Sequence, residues 1–269
     1  MSRLLRAAGP LAAALVLVLV LLAALAPGLL APGDPLAVDP SHAFRGPGPD
    51  SPLGADESGR DLYTRLVWGA GPSVLIGVAA TAVGLGLGLG LGLTAGLAGR
   101  RLDFVLGRIF ELSFAFPSLL LALLVIVVLG PGPLPALIAV GLSSAPGYAR
   151  IIRGRVRSVR SMGYIEQARV LGHRPWRILW RHILPNTAAP LLALATLGIG
   201  QSIMWVAALS FLGLGTPPPA PEWGAMLAAG RTYIATAPWL TLVPGTAITL
   251  ITIATTVLGR ALERRKDLP

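Results

Sequence analysis

Cysteine is absent from the 269 residues, and lysine occurs once. Without thiols there is no disulfide, thiolate metal site or cysteine nucleophile, and the redox compartment goes unread. The single lysine, Lys266, sits between Arg265 and Asp267. A phosphate loop needs Gly-Lys-Ser/Thr, so the chain cannot hold ATP by that motif, and lysine Schiff-base chemistry would have only a tail residue to use. His42, His173 and His182 are scattered and form no metal-ligand cluster. Charge is scarce as well: 13% of residues against about 25% in an ordinary soluble domain. With 54% hydrophobic residues and a mean hydropathy of +0.72, a water-facing globule is excluded. At about 20 residues per span, six spans use about 120 residues and leave about 150 for loops and termini.

What is present is a series of long uncharged intervals. Between Arg6 and Asp34 lie 27 uncharged residues, with Leu11–Leu25 almost wholly Leu, Val and Ala. This is a first span or a signal peptide. Arg3 and Arg6 supply a basic n-region and Ala24-Leu25-Ala26 imitates a cleavage box, but Pro27 just after the cut favours an uncleaved anchor. The second interval, Ser73 to Ala98, alternates Gly and Leu through its centre. It is too long for a strand, and in lipid a helix satisfies its own backbone. Gly84, Gly88, Gly92 and Gly96 then share one face, the small-xxx-small pattern that admits a neighbouring helix; the alternative is low-complexity drift. Gly130-Pro131-Gly132-Pro133 divides the uncharged stretch 112–149 into spans at 112–129 and 134–150. Asn186–Phe211 and Pro238–Leu258 complete six.

The arginines sort among the flanks of these spans. The N-terminus, the 99–111 loop, the 150–185 loop and the tail hold 18 of the 22 basic residues, and the other side holds seven of the twelve acids. The positive-inside rule makes the first side cytoplasmic. The formal charge of +10 is therefore mainly a topology signal, with attraction to anionic lipid as a further contribution. Nucleic-acid binding would want aromatic platforms or a recognition fold beside the arginines, and neither is visible.

Residues 147–186 carry the richest pattern. Arg150, Arg153, Arg157 and Arg160 follow helical spacing, so the fourth helix runs on past the membrane with a basic stripe. Tyr164–Leu171 reads as a short amphipathic helix ended by Gly172, and Trp176, Leu179, Ile183 and Leu184 are spaced for one apolar face leading to Pro185. A short helix bracketed by turns suits docking of a partner; the alternative is an amphipathic helix lying on lipid.

Here the sequence resembles a known family. Glu166-Gln167-Ala168, then Gly172, then His182-Ile183-Leu184-Pro185 is similar to the EAA signature of bacterial ABC importer permeases. The blocks SPLGADESGRDLYTRLVWGA at 51–70, FAFPSLLLA at 114–122 and SFLGLGTPPPAPEWGAML at 210–227 resemble the dipeptide/oligopeptide/nickel branch, specifically its C-type inner-membrane subunit. Gln167 stands where the signature has its first alanine, and His182 where it has isoleucine.

The resemblance implies an all-α, polytopic membrane helix bundle with the type I importer permease fold, six transmembrane helices and both termini cytoplasmic. The divisions expected are a cytoplasmic N-terminus at 1–10, a first transmembrane helix at 11–30, an extracytoplasmic segment at 31–72, a five-helix core at 73–260 with the coupling loop at 150–185, and a cytoplasmic tail at 261–269. It further implies a translocation subunit with no catalytic residues, metal or cofactor of its own, in a bacterial inner membrane. ATP and Mg would be bound by two ABC ATPase subunits, and the other partners would be a homologous second permease subunit and an extracytoplasmic substrate-binding protein. Carried onto this chain, Glu166 offers charge pairing to the ATPase, with Gln167 beside it. Ala168 and Leu171 offer a small apolar contact, Gly172 a fixed turn, and Leu184 and Pro185 the return to the membrane.

On the outer side, Asp56-Glu57-Ser58-Gly59-Arg60-Asp61 lacks the spaced carboxylates and closing glutamate of an EF-hand, and the resemblance favours an interface-lying element there. In the Pro-rich segment 212–237, Glu222 and Trp223 are candidates for contact with the binding protein or substrate; the alternative is Glu222 bonding neighbouring backbone amides. On the fifth span, Gln201 and Trp205 are four apart and share a face, so they line a translocation path or hydrogen-bond between helices. A self-contained secondary transporter or channel is the competing class. It is disfavoured by the lack of deep membrane carboxylates and of an inverted repeat.

Overall fold

The computed structural model describes the backbone of residues 2–266, with side chains except at 2–7, 188–190 and 264–266. The last three residues of the expected tail, and the side chains of Arg3, Arg6, Arg264, Arg265 and Lys266, lie outside the described residues. The helices are α1 (Ser2–Leu25), α2 (Pro27–Leu30), α3 (Leu62–Leu97), α4 (Arg100–Ala115), α5 (Ser118–Leu129), α6 (Pro133–Arg160), α7 (Gly163–Val170), α8 (Pro175–Ile178), α9 (Leu184–Phe211), α10 (Trp223–Gly230) and α11 (Trp239–Lys266). A single π turn, Leu179–Ile183, joins α8 to α9. Among the described residues there is no sheet, so the all-α expectation stands.

Among the described residues, four helices are long and apolar enough to cross a membrane: Ala8–Leu25 of α1, α3, Leu191–Phe211 of α9 and Trp239–Glu263 of α11. The pair α4 and α5, bent by 95°, makes a fifth if counted as one span. This is fewer than the six expected. The span expected at 112–129 is broken at Pro117, because the residue before a proline is pushed out of the helical region; Phe116 has φ −99° and ψ 133°. The remaining helix, α5, has 12 residues, about 18 Å of rise, short of the roughly 30 Å of hydrocarbon. The apolar half of α6 is interrupted by Ser143, Ser144, Pro146 and Gly147 before its arginines begin. The second span also starts earlier than Ser73. Asp61 caps α3, its carboxylate accepting from the Thr64 N–H at 2.8 Å and the Thr64 hydroxyl at 2.6 Å, so the helix that carries this span begins at Leu62.

The fold is organised by α3 lying along α6. Gly84, Gly88, Gly92 and Gly96 are all buried in this seam. A Cβ added at Gly88 would lie 2.5 Å from Tyr148 Cβ; at Gly92, 2.7 Å from the Ala149 carbonyl oxygen; at Gly96, 2.7 Å from Val156 Cβ. One at Gly84 would collide with Ser144 Oγ. From the other side, a Cβ on Gly141 would sit 2.7 Å from Val83 Cγ1. Gly86 and Gly90, in the other phase of the Gly-Leu alternation, have nothing within 4 Å. The period-two sequence thus contains a period-four contact face, as helical geometry requires.

Both ends of this pair are fastened. At the arginine-rich end, Asp103 of α4, itself buried, takes Arg153 Nε at 2.6 Å and also pairs with Arg157. Arg160 donates at 2.6 Å to the Gly96 carbonyl, one of the last carbonyls of α3, which lack partners within the helix. The basic stripe of α6 is therefore largely spent on holding α3 and α4. At the opposite end, Arg65 of α3 is buried beside Asp56, Nε to Oδ2 3.5 Å, and donates to the Pro35 and Pro219 carbonyls. Residues 31–61 fold irregularly over this end, with one short 3-10 turn at Pro40–His42. Trp239 Nε1 donates to the Ala55 carbonyl at 3.2 Å, and Gly59, at φ +77°, leaves no room for a Cβ against the Asp39 carbonyl. α1 packs on the same region through Leu17, Val20 and Ala23.

Placing valine at Gly92 forces α3 and α6 apart and should destabilise the bundle by about 1–3 kcal/mol, the usual cost of overpacking. Gly90→Val should cost under about 0.5 kcal/mol. Thermal unfolding of the two variants in one detergent checks the contrast.

Candidate functional site

Beyond Arg160 the chain turns at Ser161–Met162 and enters α7, eight residues long. Its inner face is Ile165, fully buried, and Ala168, 5% exposed; both pack with Ile152, Val156 and Val159 of α6 and with Ile178 and Ile183. Its outer face presents Glu166 and Gln167, together with Val170 at 83% and Leu171 at 74% exposure. Ala168, expected as a contact for a partner, instead belongs to the chain's own core, because the helix needs small residues where it crosses α6. The helix closes in a Schellman motif: His173 N–H donates to the Ala168 carbonyl at 3.0 Å and Gly172 N–H to the Arg169 carbonyl at 2.9 Å. Gly172 has φ +76° and open space around it, so glycine is demanded there by the backbone and not by crowding.

After the turn, the buried apolar residues are Ile178 and Ile183, with Leu179 partly buried. Trp176, expected on this face, is 67% exposed and stacks edge-on with Trp180 at 5.2 Å. The reason is the π turn, which shifts the register between residues 178 and 184. Leu184 and Pro185 open α9; Leu184 is half-buried and Pro185 exposed. The loop is thus a rigid, short helix held between the end of α6 and the start of α9, with an exposed face of one acid, one amide and two aliphatic side chains.

A cavity of about 360 Å³ lies where the α4–α5 break meets α6 and α9. Gln201 and Trp205 both line it, with Ser143, Ser144, Tyr148 and Ser202. No charged side chain lines the cavity. Ser143 and Ser144 donate to the Val140 and Gly141 carbonyls of their own helix, which leaves oxygen lone pairs to accept from a guest. Sequence reasoning missed these α6 residues; the polar interruption of an apolar run at 143–148 was the available signal.

Glu222 and Trp223 are not presented outward. Glu222 is 2% exposed and caps α10: Oε1 accepts from Gly224 N–H at 2.7 Å and Oε2 from Ala225 N–H at 2.9 Å. Ser73 Oγ accepts from the Trp223 N–H at 3.0 Å, and Trp223 Nε1 donates to the Leu66 carbonyl at 2.9 Å. The contact expected with a binding protein or substrate gives way to an internal brace between α10 and α3, since four orphan N–H groups at a helix start attract a carboxylate. The acids of 56–61 are equally engaged, and no group of three metal-ligating side chains occurs among the described residues.

Residues 88–268, which include α7 and its flanking turns, the cavity's α6 and α9 walls and α11, match the family described as "Binding-protein-dependent transport system inner membrane component". The chain belongs to that family. It is 40% identical over 248 residues to a dipeptide transport system permease protein, DppC, of Alkalihalophilus pseudofirmus, covering 92% of this chain and 81% of the relative. It is 39% identical to the di/tripeptide permease DppC of Pseudomonas aeruginosa, over 80% and 71%, and 38% identical to the glutathione permease GsiD of Pectobacterium atrosepticum, over the same shares. In fold it is similar to the inward-facing MetNI methionine ABC transporter, with a TM-score of 0.61, 19% identity, and 74% of this chain and 95% of that one covered. An amino acid ABC transporter solved with histidines aligns at 0.56 and 18% identity, over 72% and 90%. The protein is accordingly a permease subunit of an ABC importer, a multi-pass component of a bacterial inner membrane that works with ATPase and substrate-binding partners.

Glu222→Ala should remove the α10 cap and the carboxylate oxygen to which the Ser73 hydroxyl donates at 3.4 Å, lowering stability by about 1–2 kcal/mol. Thermal unfolding of the purified protein reads this. A role confined to an outer surface contact would leave the unfolding temperature unchanged.

Proposed function

We propose that this permease forms one half of a peptide translocation path, paired with a homologous second subunit, and that the 163–185 loop seats in a groove of a cytoplasmic ATPase. The observation that carries the reading is the loop itself: an eight-residue helix with its inner face locked on α6 and Glu166, Gln167, Val170 and Leu171 facing out. Apolar side chains exposed in a compact cluster mark an interaction surface. Two ATPase subunits bind and hydrolyse ATP with Mg; this chain supplies no phosphate loop. Closure of the ATPases displaces α7, and α6 passes the displacement to the cavity at the α4–α5 break. Access then alternates between the two sides.

In this reading the arginine-rich end is cytoplasmic, with both termini there. The bent α4–α5 pair crosses once, from Asp103 at the basic end to the Gly130–Gly132 turn, whose Gly132 N–H donates to the Leu214 carbonyl on the outer side. α6 returns through the membrane, which makes six crossings. The relatives named for dipeptides, di- and tripeptides and glutathione support a peptide cargo. The uncharged, hydroxyl-rich cavity suits it, offering acceptors to peptide N–H groups without a fixed charge to trap either terminus. Choice of cargo then rests with the extracytoplasmic binding protein.

Two experiments test this. Gly172→Val forces a β-branched residue into a left-handed conformation, at roughly 1–2 kcal/mol, while Gly172→Asn tolerates it. Uptake should fall severalfold for valine, with membrane insertion retained and ATP hydrolysis uncoupled, and stay near normal for asparagine; equal uptake by both removes the coupling role. Mass spectrometry of the ligand carried by the cognate binding protein should find short peptides, and a nickel chelate there would overturn the cargo assignment.

A further inference from the structure

Beneath the coupling helix, away from its exposed outer face, lies a second cavity of about 460 Å³. One wall is apolar, with Leu97 from the last turn of α3 and Ile183 from the π turn before α9 among its residues; the other carries Arg160, Arg169 and His173, with Trp176 at the rim. Arg160 gives one N–H to the Gly96 carbonyl, and no acid pairs with Arg160 or Arg169 among the described residues. His173 Nδ1 is buried and finds no hydrogen-bond partner. His173 Nδ1 is thus a buried nitrogen without a partner, where buried polar groups are normally paired, and it is flanked at the cavity wall by half-buried Arg160 and exposed Arg169, two cations with no acid beside them.

We infer that this cavity holds the phosphate headgroup of an anionic phospholipid. The height in the membrane favours a lipid: Leu97 ends one apolar helix and Ile183 stands just before the apolar run Leu191–Phe211, so the cavity sits at the edge of the hydrocarbon, where phospholipid phosphates lie. Arginine matches phosphate oxygens in a planar, paired geometry, and the apolar wall accepts the adjoining acyl chain. The neighbouring segment has the make-up of a lipid-facing belt. Trp176 and Trp180 are exposed at 67% and 55%, flanked by Arg174, Arg177 and Arg181, and tryptophan with arginine is the usual composition of the membrane interface. The headgroup bridges α7, α8 and the end of α6, and so joins the coupling loop to the lipid around it. This requires the basic end to be cytoplasmic but does not depend on the cargo.

The test uses the assembled transporter in nanodiscs of phosphatidylcholine with or without phosphatidylglycerol, and native mass spectrometry to count retained lipid. Retention of phosphatidylglycerol over phosphatidylcholine is expected, reduced about tenfold in affinity by Arg169→Gln with His173→Gln and little changed by Arg177→Gln with Arg181→Gln, which removes at least as much positive charge from the surface. Equal losses in the two double variants would show general attraction to the basic loop and overturn the site. Displacement of the lipid by millimolar inorganic phosphate would assign the cavity to a free anion instead, and loss of bound lipid on ATPase docking, with the double variant failing to assemble, would assign it to the partner protein. Lipid counting needs no uptake, so its failure is separable from failure of the transport reading.

Discussion

The close approach of α3 and α6 is the constraint on which the other contacts depend. It is a backbone-to-backbone seam in which glycines on one helix meet Gly141, Ala145 and Ala149 on the other, and lipid offers no hydrophobic driving force to replace the packing that this proximity yields. The same proximity brings Arg160 within reach of the α3 carbonyls and sets Arg153 over α4. Without it Asp103, buried between two guanidinium groups, would be an uncompensated charge. The basic stripe is thus a consequence of the seam before it is a surface for partners.

The 161–185 loop, proposed above to couple to the ATPase, inherits its order from this arrangement. Ile165 and Ala168 rest on Ile152, Val156 and Val159, residues of α6 that are fixed by α3 on the far side. A coupling element must be stiff where it joins the membrane helices and free on its outer face, and α7 divides along that line. Gly172 contributes through its dihedral alone, with space around it, so its constraint is local and separate from the packing below.

Legibility in the sequence followed the range of the interaction. The glycine face, the end of α7 at Gly172 and the continuation of α6 past the membrane all depend on helical period or a local turn, and each could be read from spacing. The Asp103 clamp joins residues 50 positions apart, and the Ser73–Glu222 brace residues still further apart; neither leaves a local pattern. Glu222 left two readings open, an outer contact or a bond to neighbouring backbone amides; Glu followed by Trp-Gly-Ala fits a helix start, and the second reading is the one that forms. Pro117 was visible, but its place inside an apolar run hid the 95° bend, so a broken pair of helices reads as one straight span at 112–129. Gln201 and Trp205 were found as a pair; their company on α6 depends on how the helices are placed.

One feature of α6 has a mechanical consequence. Pro146 lies in its middle and removes a backbone hydrogen bond, which in an unsupported rod of about 42 Å would be the place to fold. Here the α3 seam runs past it on both sides, with Gly84 against Gly141 and Gly92 against Ala149. α3 therefore acts as a splint, and α6 behaves as a lever with no joint at its weakest point. Under the proposed coupling, a tilt of about 10° at the α7 end of α6 would carry the far end through about 7 Å. The give is left to the break at Phe116–Pro117, beside the cavity, where the slack of the machine is concentrated.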